Sequence, residues 1–487
     1  MNYDNNANRI RKQLLIRIAR LALQDRLLDE IDRLPAKLFP RHKSGLRCCV
    51  YKDRAITKYR LMAILGHAIE NESDELKPLR QYAQEALNRD KIANPILTVL
   101  DEACSACLKA RHFVTNVCRG CVARPCVINC PKDAIQIVDG QARIDSDECV
   151  DCGKCLKVCP YHAIVHVPIP CENACPVDAI SKDEYGREHI DYDKCIFCGK
   201  CMTACPFGAI MERSQIIDVI TKIKQGKNVI AMLAPAMAGQ FPEDFRKVAA
   251  AVKKIGFTQV VEVAFGAERT AEHEAQELAH AIKSDQKFMT SSCCPAYVQA
   301  MKKHMPEIAP FVSTTPTPMH YAAEWVRQEH ADAVTVFIGP CVAKREEALH
   351  DSTVDHVLTT EELGALLVAA DIEIADCEPL AFARPANAEA RGFAVLGGVT
   401  NAVLAQGTTD AVKATTIDGL DKKSIRLLQC YAKGKCDFNF IEVMCCEGGC
   451  VGGPCNISTT KSAGRRVTDF VRNTKEHAGD SPYNPAG

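Results

Sequence analysis

Apolar residues recur at helical spacing near the start of the chain. Ile10, Leu14, Ile18, Leu21, Leu28 and Ile31 share one face, and Pro35 is expected to stop the run. From residue 211 to about 455 the pattern is different. Val229-Ile-Ala-Met-Leu-Ala-Pro235, Gln259-Val-Val-Glu-Val-Ala264, Ala333-Val-Thr-Val-Phe-Ile-Gly339 and His356-Val-Leu-Thr-Thr360 are short, nearly unbroken apolar runs, as in strands buried on both faces. Helix-length segments such as 241–255 and 269–284 separate them, and this alternation predicts parallel sheets covered by helices.

With 487 residues the chain has room for about three domains. The pattern divides it into a helical region 1–100 of unassigned role, a cysteine-rich region 101–210, an α/β region 211–455 and a polar, loose tail 456–487. Net charge is −1, which argues against nucleic acid as a main partner and supplies no polybasic membrane anchor. No stretch reaches the roughly 20 apolar residues of a membrane span, and the N-terminus lacks a secretory core and cleavage site, so the expected address is cytoplasmic. Arg9, Arg11, Lys12, Arg17 and Arg20 give the first helix a basic face, read either as solvated or as attractive to an acidic redox partner.

In a reducing compartment, 28 cysteines are unlike a disulfide framework, and most stand in short regular clusters. Sixteen lie between residues 101 and 210. Cys149, Cys152, Cys155 and Cys159-Pro160 form one bacterial ferredoxin run, and Cys195, Cys198, Cys201 and Cys205-Pro206 form another. In such runs three thiolates hold one cubane and the fourth reaches its neighbour. Zinc usually takes paired C-x-x-C units instead.

Cys118, Cys121, Cys126 and Cys130-Pro131 are a stretched copy. Crossing the fourth cysteines gives two sites: Cys118, Cys121, Cys126 and Cys159, then Cys149, Cys152, Cys155 and Cys130. This module, 118–159, is read as inserted into a second one. Cys104, Cys107, Cys171 and Cys205 would hold a third cluster, and Cys175, Cys195, Cys198 and Cys201 a fourth; three clusters is the alternative if Cys104 and Cys107 are free.

Four further cysteines occupy three distant segments: Thr290-Ser-Ser-Cys-Cys-Pro295, Gly339-Pro-Cys-Val-Ala-Lys344 and Glu442-Val-Met-Cys-Cys-Glu-Gly-Gly-Cys450. Cys294, Cys341, Cys446 and Cys450 sit beside Pro or Gly, where tight backbone can wrap a metal centre. Cys341 falls just past a strand's carboxyl end, where open α/β sheets place their sites.

These segments, with the cysteine-rich region before them, resemble the iron-only (FeFe) hydrogenases over roughly residues 100–455. The resemblance implies an α+β multidomain chain in which ferredoxin-like iron-sulfur modules precede a two-lobed α/β catalytic domain with parallel sheets. It implies an H-cluster, a 4Fe-4S cubane joined through one cysteine sulfur to a diiron unit with carbon monoxide, cyanide and azadithiolate, besides three to four accessory 4Fe-4S clusters.

Carried over, Cys294, Cys341, Cys446 and Cys450 match the cubane ligands, with Cys450 as the bridge. Lys344 matches the residue that hydrogen-bonds a cyanide, and Met444 a methionine packed on the diiron unit. Cys293 matches the proton-donating thiol, Glu274 and Glu277 the relay glutamates on one helix face, and Ser313 the hydroxyl linking them. The implied activity is that of a ferredoxin hydrogenase, 2 H+ + 2 e- ⇌ H2. The implied partners are H2 and protons, a ferredoxin-like carrier and hydrogenase maturation proteins.

Ser291-Ser292 adds a serine to the first motif, Gly339 stands where Met commonly precedes Pro-Cys, Ala236 replaces a usual Ser, and Cys445 is an added thiol. With Cys118-Arg-Gly-Cys121 and the N-terminal helices, these departures resemble the group B branch. A sensory hydrogenase relative would typically lack Cys293 and carry a signalling domain. An iron-sulfur assembly factor of the Narf type would lack the diiron site, and a plain electron carrier would not need the α/β half. Cys48, Cys49 and Cys455 receive no role.

Overall fold

The computed structural model describes residues 5–42, 45–104, 107, 111–284, 286–407 and 412–476. The first helix runs Asn6–Leu23, started by the Asn5 side chain, which accepts the Asn8 N–H at 2.9 Å. Its apolar face, Leu14, Leu15, Ile18 and Ala19, is buried, and it packs along the helix Thr360–Ala369 of the second half.

Pro35 does not end this helix. The chain turns at Asp25, whose φ is 59°, and Pro35 lies in the first turn of a new helix, Leu34–Leu38, where its missing N–H costs nothing. Part of the basic face is used internally. Arg11 pairs with Glu212 at 3.2 Å and with Glu361, and Arg20 with Asp371 at 2.8 Å; Arg9 and Arg17 are exposed.

The cysteine-rich region is built of short antiparallel strand pairs. Leu97–Val99 pairs with Ile210–Glu212 and Arg111–Val114 with Ile164–Val167, enclosing the hairpin Ile135–Val138 with Gln141–Ile144. Ile180–Lys182 pairs with Glu188–Ile190. One strand-paired unit is therefore closed inside another.

Beyond residue 226 the strands become parallel. Gln259–Glu262, Val229–Leu233, Val334–Gly339 and His356–Thr359 form a sheet in that order. A second parallel sheet sets Phe440–Met444 between Met289–Thr290 and Ala414–Asp418. Every residue of Val229–Leu233, His356–Thr359 and Phe440–Met444 is buried, which accounts for their mostly apolar sequence; His356, Thr359 and Glu442 are the buried polar exceptions. The alternating pattern predicted the strands of the first sheet; the second sheet was expected only through the two-lobed family resemblance, because Met289–Thr290 is too short to show a period. Among the described residues no helix is long and apolar enough to cross a membrane.

The expectation of a loose tail needs correcting. Thr460–Glu476 is a helix that packs on the turn Pro235–Gly239, burying Ala463 and Val467 completely. Gly239 makes this possible, since a Cβ there would stand 2.4 Å from the Ala463 carbonyl oxygen.

Candidate metal centre and proton path

The carboxyl ends of strands from both sheets deliver the candidate thiols. Cys294 follows Met289–Thr290 and caps the helix Pro295–His304, Cys341 follows Val334–Gly339, and Cys446 follows Phe440–Met444. Cys450 comes after Gly448 and Gly449, whose φ angles of 80° and 89° turn the chain back. Gly453 keeps the last loop close to the Cys341 segment: a Cβ there would lie 2.6 Å from the Pro340 oxygen, and the neighbouring Cys455 N–H bonds that oxygen at 3.2 Å.

The thiols converge. Cys446 lies within electrostatic reach of Cys341, Cys294 and Cys450. Burial, reinforced by Cys294 nearby, pushes Cys341 and Cys450 up to about 12, and burial drives Cys446 well above its ordinary value. Yet Cys294, Cys341 and Cys446 keep partial accessible surface, and Cys450 more. Soft sulfur donors grouped in this way fit an iron-sulfur group.

Cys293 points into the same surroundings. Burial first, then Glu274, Cys294 and Cys450, hold its thiol well above the usual range, so it carries a proton at neutral pH. Glu274, fully buried on the helix Ala264–Lys283, is pushed up to about 7, mainly by burial and in part by Glu277.

The Glu274 Oε1 accepts the Ser292 N–H at 2.9 Å and lies 3.3 Å from the Ser292 hydroxyl, whose shorter acceptor is the Thr315 carbonyl at 2.7 Å, while its buried Oε2 has no partner. Glu277 is half-buried and accepts the Thr314 N–H at 3.1 Å together with the Thr314 hydroxyl. Ser313, expected between the two carboxylates, instead accepts the Thr315 N–H at 3.1 Å, and among the described residues no hydrogen bond joins it to either glutamate. The hydroxyls that reach them are Ser292 and Thr314. Ser292 was visible in the sequence only as an extra residue.

Lys344 is buried and donates to Glu347 at 2.7 Å. Burial works against its charge, but Glu347 and Cys341 outweigh that and raise its pKa. Met444 is 2 % exposed. Gly339 is explained by packing, since a Cβ there would lie 2.9 Å from that of Ala234; Ala236 is buried, and nothing in the structure explains the absence of a hydroxyl there.

In the cysteine-rich region, Cys118, Cys121, Cys126 and Cys159 line one cavity, and Cys130, Cys149, Cys152 and Cys155 line another, the crossed sets that the spacing suggests. Cys171 has Cys205 and Cys104 as charged-state neighbours, Cys107 has Cys205, and Cys201 has Cys198, Cys195 and Cys175. The N–H of Ala163, Ala179 and Ala209 donates to the sulfur of Cys159, Cys175 and Cys205 at 3.4, 3.2 and 3.4 Å. Donors aimed at sulfur favour thiolate, the ligating form.

Comparison with known proteins agrees with this chemistry. Residues 227–454 match the family described as iron only hydrogenase large subunit, C-terminal domain. Residues 188–211 match a 4Fe-4S binding domain, and residues 118–169 the LdpA Fe-S cluster-binding domain. Iron hydrogenase 1 of Clostridium pasteurianum is 28% identical over 388 residues, 66% of each chain. The periplasmic [Fe] hydrogenase large subunit of Nitratidesulfovibrio vulgaris is 29% identical over 375 residues, 64% of this chain and 85% of that one. A solved [FeFe]-hydrogenase structure, HydA(deltaEFG), is 22% identical with a TM-score of 0.43, covering 51% of this chain and 85% of the other. The chain thus spans slightly under two thirds of the first relative's length.

Proposed function

Because the chain is an iron-only hydrogenase-like protein, we propose that it is a catalytically active FeFe hydrogenase of the group B branch, catalysing 2 H+ + 2 e- ⇌ H2. The observation that carries this reading is the placement of Cys293, within electrostatic reach of Cys294, Cys450 and the buried carboxyl of Glu274.

Cys294, Cys341, Cys446 and Cys450 would hold an H-cluster, which when bound supplies the site where protons and electrons combine reversibly. The chain supplies the rest. Cys293 holds a proton on its sulfur and exchanges it with Glu274, whose pKa near neutrality suits a group that both takes and gives a proton. Glu277, half-buried and held by the Thr314 hydroxyl, passes the proton toward solvent, while Ser292 holds Glu274. Lys344 supplies ammonium donors to the space between Cys341 and Cys450, and Met444 closes its apolar side.

Electrons would reach the site through clusters on the four cysteine sets of residues 104–205, from a ferredoxin-like carrier in the cytoplasm. Hydrogenase maturation proteins would install the diiron unit. The test is an infrared spectrum of protein co-expressed with a competent maturation system, taken under hydrogen, together with viologen-linked hydrogen uptake. Carbon monoxide and cyanide bands with rapid uptake are expected. Bands with uptake too slow for an enzyme would indicate a sensor, and absence of the bands would indicate a non-catalytic iron-sulfur protein.

A further inference from the structure

The helical region 1–100 takes no part in the site described above, yet it sends two guanidinium groups to the turn that follows Cys205. Arg60 stands on the helix Val50–Ile64 and is 5 % exposed. Its Nη2 donates to the Phe207 carbonyl at 2.9 Å and reaches the Gly208 carbonyl at 3.5 Å. Arg47, just before that helix, donates to the same Phe207 carbonyl at 3.3 Å, and its guanidinium lies 5.7 Å from the centroid of the Phe207 ring.

The turn they grip also holds Cys205. The Gly208 N–H donates to the Cys205 carbonyl at 3.2 Å, and the Ala209 N–H to the Cys205 sulfur at 3.4 Å. Gly208 has a φ of 56°, and a Cβ there would stand 3.2 Å from the Arg60 Nη2, so the guanidinium presses directly on this turn.

Neither arginine forms an ion pair with a carboxylate among the described residues. Asp53, on the same helix as Arg60, is held by the Leu46 N–H at 2.8 Å instead. Arg213, also buried without a carboxylate, spreads four bonds over the Gly66, Ala93 and Pro95 carbonyls. Arg60 uses Nη2 alone, which leaves Nε and Nη1 without an acceptor among the described residues. A buried cation so thinly partnered is costly unless negative charge lies near it.

We propose that Arg60, seconded by Arg47, is the counter-charge and positioning residue of the accessory cluster held by Cys104, Cys107, Cys171 and Cys205, and that carrying it is a role of the helical region. The proposal rests on the reading above, in which these cysteines are cluster ligands. Four thiolates give a bound 4Fe-4S group a net negative charge, which grows on reduction. A cation fixed at the Cys205 turn therefore favours the reduced form and raises the midpoint potential. A mere brace between helix and turn would need donors but no charge.

The test is a redox titration followed by electron paramagnetic resonance on the anaerobically reconstituted full chain. The signal abolished in Cys104→Ala/Cys107→Ala identifies the cluster. In Arg60→Gln, which keeps a donor but no charge, that signal is expected at lower midpoint potential while the others stay in place. Arg60→Lys, which keeps the charge, is expected to stay near wild type. If Arg60→Gln loses iron at this site, Arg47→Gln replaces it, with a smaller shift in the same direction. An unmoved midpoint in the neutral variant titrated, or equal shifts in Arg60→Lys and Arg60→Gln, would overturn the proposal. If no signal depends on Cys104 and Cys107 in otherwise wild-type protein, the cluster assignment itself falls, and the proposal with it.

Discussion

Glu274 receives the Ser292 N–H at 2.9 Å on one carboxylate oxygen and leaves the other buried without a partner. One oxygen is anchored and one is free to carry a proton. The folded carboxyl keeps its proton up to about 7, against 4.5 when solvated. Its contribution to stability is therefore fully present below 4.5 and is lost as pH rises through about 7, a change of roughly 3 kcal/mol. Denaturant unfolding between pH 4.5 and 8 should show this slope in wild type and not in Glu274→Gln. Equal slopes would mean that Glu274 titrates normally.

Cys293→Ala removes the thiol but none of the four grouped cysteines. Iron content and infrared bands should be retained while hydrogen turnover falls by about 10²–10⁴, the usual worth of a positioned proton donor. Wild-type turnover with an intact cofactor would remove Cys293 from the proton path.

The double variant Cys104→Ala/Cys107→Ala tests the nested arrangement. Both cysteines lie near Cys205, so their loss should lower reconstituted iron by about four atoms per chain. Unchanged iron would reduce the accessory clusters to three.

Arg11 is the half-buried counter-charge to both Glu212 and Glu361. Arg11→Met leaves two buried carboxylates without it, and denaturant unfolding at pH 8 should show a loss of about 3–5 kcal/mol. The loss should shrink at pH 5, where Glu361, raised by burial, can take up a proton. A variant as stable as wild type at pH 8 would show that the pair is dispensable.

Local patterns were legible where one segment decides the outcome. The runs at 229–233 and 356–359 could be read as strands because both faces of each are buried, and the crossed cysteine sets followed from Cys-Pro spacing. What escaped was decided at a distance. The Ser292 contact joins residues 18 apart in sequence, and the Arg11 pairs join residues 201 and 350 apart, so neither leaves a local trace. The helix Thr460–Glu476 did carry a signal, with Ala463, Val467, Phe470 and Val471 at helical spacing, but its many charges masked that stripe.

The first helix seats on a surface that the ribosome makes late. Glu361 lies 350 residues after Arg11, and at 5–20 residues per second roughly 20–70 s separate their synthesis. All sixteen cysteines of residues 101–210 emerge in that interval. The surface on which the first helix packs therefore does not exist until every one of those cysteines has been made.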